Sequence, residues 1–224
     1  MSTAPWAMQI VVRVEKNPSP AHTDVLRATG SAVAVGIAAF TSPEADPEVR
    51  DRTERWRSGP IRKVVRRARG AGWTRQLAVP GVLEHHAHGV DVAVHVPAPV
   101  DEVDPETSRL QVGGLTLEDD DAVPADGVGP MLWLNPHLTL TTGKAAAQVG
   151  HAAQLVLESM SPDAAAAWVS EGAPLDVGVA DEGEWDQLVA SSPVVVTDGG
   201  FTEVAPGTIT VVAAPVSPTR RTGR

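Results

Sequence analysis

Thr141-Thr-Gly-Lys-Ala-Ala-Ala-Gln-Val-Gly-His-Ala-Ala-Gln154 is the stretch on which the reading of this chain turns. Its small residues suit a helix that presses closely on a sheet. At helical spacing Lys144, Gln148 and His151 fall at i, i+4 and i+7 in a row on one side, while Ala146, Val149 and Ala153 turn toward a core. Lys144 is also the only Lys or Arg between Arg109 and Arg220. A buried Ala-rich helix with a surface lysine has the same local pattern, because Gly-Lys often opens a helix.

The 224 residues, 42% of them hydrophobic, suffice for one large domain or two small ones with real cores. Absence of cysteine excludes disulfides, thiolate metal sites and cysteine nucleophiles, and is compatible with a reducing compartment. The N-terminus, Met1-Ser-Thr-Ala-Pro-Trp, lacks a basic region followed by a long apolar one, and the most apolar run, Ser31 to Phe40, is too short to cross a bilayer. A cytoplasmic soluble protein with no membrane partner is the expectation. Arginine outnumbers lysine, and Ala and Val abound, as in a GC-rich bacterial coding sequence.

The net charge of −10 is unevenly spread. Between Arg50 and Arg75 ten basic residues stand against Asp51 and Glu54, a local balance of +8 that leaves −18 for the remainder. Such a block on an acidic protein reads as a phosphate-facing patch, with Arg62, Lys63, Arg66, Arg67 and Arg69 as its centre. A solvated basic face or an internal partner for acidic surface is the plainer reading.

Glu118-Asp-Asp-Asp-Ala-Val-Pro-Ala-Asp-Gly-Val-Gly-Pro130 is acidic, contains Gly and Pro and lacks periodicity, so residues 118–129 read as an exposed linker between halves 8–117 and 130–216. The halves begin alike, with Met8-Gln-Ile-Val-Val-Arg-Val14 and Met131-Leu-Trp-Leu134 as strands, each followed by a helix of small residues. Further matches arrive in the same order, as a duplication requires. Thr29-Gly-Ser-Ala32 pairs with Val149-Gly-His-Ala152, and Trp56-Arg-Ser-Gly-Pro-Ile61 with Trp168-Val-Ser-Glu-Gly-Ala-Pro-Leu175. Gly72-Trp-Thr-Arg-Gln-Leu77 pairs with Glu184-Trp-Asp-Gln-Leu188, and Asp101-Glu-Val-Asp-Pro-Glu-Thr107 with Thr202-Glu-Val-Ala-Pro-Gly-Thr208. The repeat makes Ile61 to Ala68 a strand rather than a basic helix, because its counterpart from Leu175 to Ala180 is one. The fold class expected is α/β: tandem three-layer α/β/α units, each with a mixed four-stranded sheet, forming a pseudo-dimer.

From Pro130 to Pro215 the second half resembles the type II peptidyl-tRNA hydrolases, through Gly143-Lys-Ala-Ala-Ala-Gln-Val-Gly-His-Ala152 and Thr197-Asp-Gly-Gly-Phe-Thr-Glu-Val-Ala-Pro-Gly-Thr-Ile-Thr210. The resemblance implies hydrolysis of the ester between a stalled peptide and the terminal ribose of tRNA, with peptidyl-tRNA as partner and neither metal nor cofactor. Carried over position by position, it implies catalytic roles for Lys144, Asp198, Thr202 and Thr210, with Gln148 and His151 in support. Asp198 would orient or deprotonate water, and Lys144 would face the oxyanion or hold the terminal phosphate.

The second half departs from the family pattern at Phe201, where many members carry arginine, and at Glu203, where many carry glutamine. From Gly129 to Ser217 it holds ten acids and Lys144 alone, a balance of −9 that repels tRNA at long range. A half that keeps the fold and has lost the reaction, binding RNA or a protein instead, is the alternative. The first half lacks the site: Asp24 replaces Lys144, Ser31 His151, Asp101 Thr202 and Arg109 Thr210. Since enzymes of this family are generally homodimers, one tandem chain suggests a monomer whose first half supplies the basic tRNA-binding surface. Glu84-His-His-Ala-His88 looks like a metal-binding tract and is read here as exposed histidines on an inserted loop.

Overall fold

The computed structural model describes residues 4–119, 127–199 and 204–213. In chain order the first half runs β1 (Trp6–Arg13), α1 (His22–Thr41), α2 (Pro47–Arg57), β2 (Lys63–Ala68), α3 (Gly70–Leu77), β3 (Val82–Ala87), β4 (Val90–His95), β5 (Ala98–Pro99), α4 (Pro105–Ser108) and β6 (Gln111–Val112). The second runs β7 (Met131–Leu134), α5 (Thr142–Ser159), α6 (Pro162–Ser170), β8 (Asp176–Val179), α7 (Trp185–Ser191), β9 (Val194–Thr197) and β10 (Ile209–Ala213).

Both sheets are mixed, and their shared part has one topology. The order β3-β4-β1-β2 in the first is matched by β9-β10-β7-β8 in the second. In each, the first two strands are parallel, starting from Met8 beside Lys63 and Met131 beside Asp176. Local chemistry repeats as well. Asp46 caps α2 and Ser161 caps α6, each followed by proline in the first turn, where a missing N–H costs nothing. Trp56 donates its indole N–H to Arg62 O at 3.2 Å and Trp168 to Pro174 O at 2.7 Å, so each tryptophan pins the turn that leads into the next strand.

Helices α1 and α5 lie against each other between the sheets, and one continuous apolar core takes in both helices and the inner faces of both sheets. Smaller clusters cover the outer faces, around Trp73 with Val11 and Ala93, and around Trp185 with Val212. The crossing of α1 and α5 depends on two glycines. A Cβ on Gly30 would stand 2.7 Å from Leu175 Cδ2 and 3.1 Å from Val149 Cγ1, and one on Gly150 would stand 3.1 Å from Val33 Cγ2. By length and composition α1 would pass for a membrane-crossing helix, yet its charged Asp24 and Arg27 are paired and 78% of its apolar window is buried in this core.

Three expectations need correction. The first sheet has six strands, because β5 adds to β1 and β6 to β2 from a segment for which the second half has no described counterpart. The histidine tract is no inserted loop: Glu84 to Ala87 belong to β3, paired antiparallel with β4, and the turn falls at His88 and Gly89, both with positive φ. Asp101 and Arg109 are therefore not the counterparts of Thr202 and Thr210. With core-facing Ile10 and Val12 equivalent to Leu132 and Leu134, the ladders set Val92 in the place of Val211 and His85 in that of Val196, so the turn between β3 and β4 corresponds to the segment between β9 and β10. At the start of the linker Glu118 and Asp119 are exposed, and they are also bonded to the helices. Asp119 accepts from Thr23 N at 2.6 Å and Leu117 N donates to Thr142 Oγ1 at 3.0 Å, so residues 117–119 tie the N-termini of α1 and α5 together. Residues 120–126 lie outside the described part.

Gly30→Leu is expected to lower the unfolding free energy by about 1–3 kcal/mol through overpacking at the helix crossing. Gly59→Ala, whose added methyl meets only Trp56 O at 3.9 Å, should change it by about 0.5 kcal/mol or less; urea melts of the two variants check both.

Candidate active site

Gln148 is buried on α5 and bridges two strands of its own half. Its Nε2 donates to Asp198 Oδ2 at 2.8 Å, and its Oε1 accepts from Thr210 Oγ1 at 2.9 Å. Those two bonds fix which way the amide faces, since the donor end must meet the carboxylate and the acceptor end the hydroxyl. Asp198 stands just beyond β9, and backbone bonds clamp its loop: its N–H donates to Thr208 O and its C=O accepts from Gly207 N, both at 2.9 Å. The buried carboxylate is thus bonded from α5, while its backbone is clamped within its own loop. Thr202, expected in the same loop, lies outside the described residues, as do Phe201 and Glu203.

Asn135, at the end of β7, was not singled out from sequence. It donates to Ile209 O at 2.7 Å and accepts from His137 N at 2.8 Å, so it holds the end of β10 next to Thr210. Lys144 sits half-buried in the first turns of α5, one turn before Gln148 on the same side.

A cleft of about 560 Å³ opens over Gln148 and Asp198, and both halves line it. The second half contributes Gln148, His151 and Asp198; the first contributes Pro60, Arg62 and Lys63 from the start of β2. The α5 wall begins at Ala147 and does not reach Lys144.

Lys63 is 8% exposed, with its Nζ 4.8 Å from the centre of the Trp56 ring. The ammonium donates to Gln154 Oε1 and lies 3.4 Å from His151 Nδ1. Gln154 in turn donates to Glu158 at 3.0 Å, and Glu158 accepts from Arg57. Burial pushes Lys63 down to about 7, with the charge of Glu158 opposing, and burial together with the Lys63 cation pushes His151 well below its ordinary range. His151 is therefore neutral at pH 7, with Nδ1 toward the lysine.

Three of the other four basic residues do not share this place. A strand of six residues spans roughly 20 Å and points alternate side chains to opposite faces. Arg66 crosses to the outer face, bonding Gln9 at 2.8 Å and Leu110 O at 2.8 Å. Arg67, bonded to Gln111, and Arg69 line a second concavity of about 470 Å³ with Lys16 and Arg109 at the far end of β2. Only Arg62 stays with Lys63 at the cleft. In the hairpin, His86 faces Asp91 at 2.6 Å, and Asp91 also pairs with Arg13.

At the repeat-equivalent end of the crossing the chemistry differs. Leu175 takes the place of Lys63 after the tryptophan-pinned turn, and the next residue, Asp176, accepts from Arg27 Nη2 at 2.7 Å, while Arg27 also meets Asp24 at 3.2 Å. Asp24, in the place of Lys144, therefore serves a buried ion triad.

Because the folded state holds Lys63 at about 7 and the unfolded chain at about 10.5, the unfolded state binds more protons between those values, and stability rises with pH across that window. The unfolding free energy of the wild type should climb by up to about 1.4 kcal/mol per pH unit there, and Lys63→Met should flatten the climb, as denaturant melts at pH 7 and 10 would read.

No curated protein matches the chain. Where the site residues of the second half come together, the sequence does have a recognised pattern: residues 130–221 match the family model described as peptidyl-tRNA hydrolase PTH2.

Proposed function

We propose that this chain hydrolyses the ester joining a peptide to the terminal ribose of tRNA, and that its halves form an internal pseudo-dimer. The observation that carries this reading is the Asp198–Gln148–Thr210 chain of bonds opening onto the cleft, inside the segment that matches the hydrolase family. The shared strand order and the bond between equivalent helix starts, His22 Nδ1 to Thr142 Oγ1 at 2.9 Å, support the pseudo-dimer.

Ester hydrolysis needs a held water, a carboxylate to take its proton and a positive group for the oxyanion. Asp198 is the carboxylate. Gln148 and Thr210 act through it as positioning residues: the amide fixes one carboxylate oxygen and the hydroxyl fixes the amide. Lys144, near the positive end of the α5 dipole, faces the developing charge on the carbonyl oxygen or the terminal phosphate. Water adds to the ester carbonyl as Asp198 receives its proton; the tetrahedral adduct then expels the ribose oxygen, which takes that proton from Asp198 and restores the carboxylate. His151 lines the cleft as a neutral, uncharged support. Thr202 remains a proposed member of this site by its place in the sequence motif.

Arg62, Lys63, Arg66, Arg67 and Arg69 are proposed as the tRNA-binding surface, divided between the cleft and the concavity at the far end of β2. The chain works as a cytoplasmic monomer in this reading. One observation favours a second reading, a non-catalytic RNA- or protein-binding domain: with a balance of −9, the half that carries Asp198 has only Lys144 to draw in a polyanion.

A release assay with peptidyl-tRNA separates the two. Wild type should release the peptide, while Asp198→Ala and Lys144→Ala should each lower the rate by about 10²-fold or more. Absence of release by the wild type would remove the enzyme, and unaltered rates in both variants would remove this site. Replacing Arg67 and Arg69 together by Gln should weaken RNA binding and reduce the slope of log affinity against log salt by about 1–2, as read in filter binding across salt.

A further inference from the structure

We propose that Lys63 and Arg62, which the first half inserts into the cleft of the second, form a seat for a phosphate group of the ligand, and that Lys63 takes up a proton when that phosphate arrives. The proposal rests on the cleft and on a comparison of the two ends of the helix crossing. At one end the buried cation, Arg27, meets two carboxylates, Asp176 at 2.7 Å and Asp24 at 3.2 Å. At the other end the buried cation is Lys63, and its partners are an amide oxygen, a neutral imidazole and the face of Trp56. A buried charge is costly without a counter-charge in contact with it, and Glu158, whose charge favours the ammonium form, is bonded to Arg57 and Gln154 rather than to Lys63. Lys63 opens onto a cleft that also holds Arg62, so a bound anion can reach what the fold leaves out.

The groups around Lys63 make the seat selective for an anion. On α5 stand His151, held neutral, and Glu158, which is already engaged by Arg57 of α2 and by Gln154. Arg62 adds a second cation from the same strand. Asp198 is the carboxylate that lines the cleft from the β9 side, beside Gln148. An anion at the Lys63 end therefore gains both cations, and the Asp198 end is left to the neutral part of the ligand. With Lys63 near 7 at rest, an anion that favours the ammonium form raises its titration midpoint, so binding draws in a proton. If the proposed hydrolase reading holds, the phosphate is a backbone phosphate at the tRNA terminus, and the ester lies toward Asp198. A free phosphate-like oxyanion has the same chemistry at Lys63.

The chain has three lysines, Lys16, Lys63 and Lys144, so their side-chain resonances can be followed singly by NMR in the full-length protein. The probes are sulfate and the dinucleotide cytidylyl-adenosine, neither of which changes charge near neutral pH. Either probe at high concentration should raise the Lys63 midpoint by about one pH unit or more, a tenfold preference of the anion for the ammonium form, and leave Lys16 in place. A larger rise with the dinucleotide assigns the seat to a nucleic-acid phosphate; an equal rise assigns it to a free oxyanion. Lys63→Met identifies the resonance and should weaken dinucleotide binding about tenfold or more. An unmoved Lys63 midpoint with both probes, a rise at Lys144 instead, or full binding by Lys63→Met would overturn the proposal. Should the variant fail to fold, the wild-type titration alone decides. The titration does not require turnover: a raised Lys63 midpoint in a protein that releases no peptide would sink the hydrolase reading and leave the phosphate seat standing.

Discussion

The close crossing of α1 and α5 is the constraint on which the rest of the molecule depends. Neither helix is amphipathic in the usual surface sense; Ala, Gly, Val and Thr occupy both sides of each, and the helices are buried by two sheets and by each other. Gly30 and Gly150 let the backbones approach at the crossing, and larger side chains there would push the sheets apart. Since each helix also meets the second strand of the other half, the start of β2 touches α5 and the start of β8 touches α1. The cleft exists because of that exchange. A wall made of Pro60, Arg62 and Lys63 reaches Gln148 and Asp198 only while the two helices stay in contact.

The two ends of the crossing show what divergence within a shared architecture can do. At the Asp176 end, Arg27 and Asp24 close an ion triad that leaves no cation for a ligand. Such triads are weak evidence for stability, because desolvation offsets the attraction, and their better-attested use is to fix how elements meet. At the Lys63 end the one carboxylate nearby, Glu158, is bonded to Arg57 and Gln154 rather than to the amine, and burial among neutral partners lowers Lys63 to about 7. One end is settled internally; the other opens onto the cleft.

Much of this was legible in the sequence, for a physical reason in each case. Ile61 to Ala68 reads as a basic helix from charge alone, and only its counterpart after Trp168 made it a strand, which stands as β2 from Lys63 to Ala68. Lys144, Gln148 and His151 do share a side of one helix, because a period of 3.6 fixes that locally. Matching Glu-Val-x-Pro-x-Thr letters misled the reading at Asp101 to Thr107, where the true counterpart strand is β4, already complete at His95. The place of β3 is illegible in the sequence because Glu84, His85 and His86 carry none of the apolar alternation that marks a half-buried strand. Least legible was Lys63. Its partners His151 and Gln154 are 88 and 91 residues away, and no periodicity within an arginine-rich run distinguishes a buried lysine from a solvated one.

That placement changes how the charge of the chain bears on its chemistry. Read as a line of residues, the +8 block between Arg50 and Arg75 looks like one cationic face set against an acidic remainder. In the fold, strand alternation and length scatter it: Arg66 is tied to backbone carbonyls on the outer face, Arg67 and Arg69 join Lys16 and Arg109 at the far end of β2, and Arg57 is drawn to Glu158. Two cations remain at the cleft, and one of them is fully charged only when its surroundings favour the ammonium form. The acidic balance of the second half therefore does not settle whether an anion enters the cleft. Screening confines surface charge to roughly 8–10 Å, whereas a partly buried cation pair acts at contact distance and is screened far less. The cations that line the cleft, Arg62 and Lys63, both come from the half that lacks the Asp198 site.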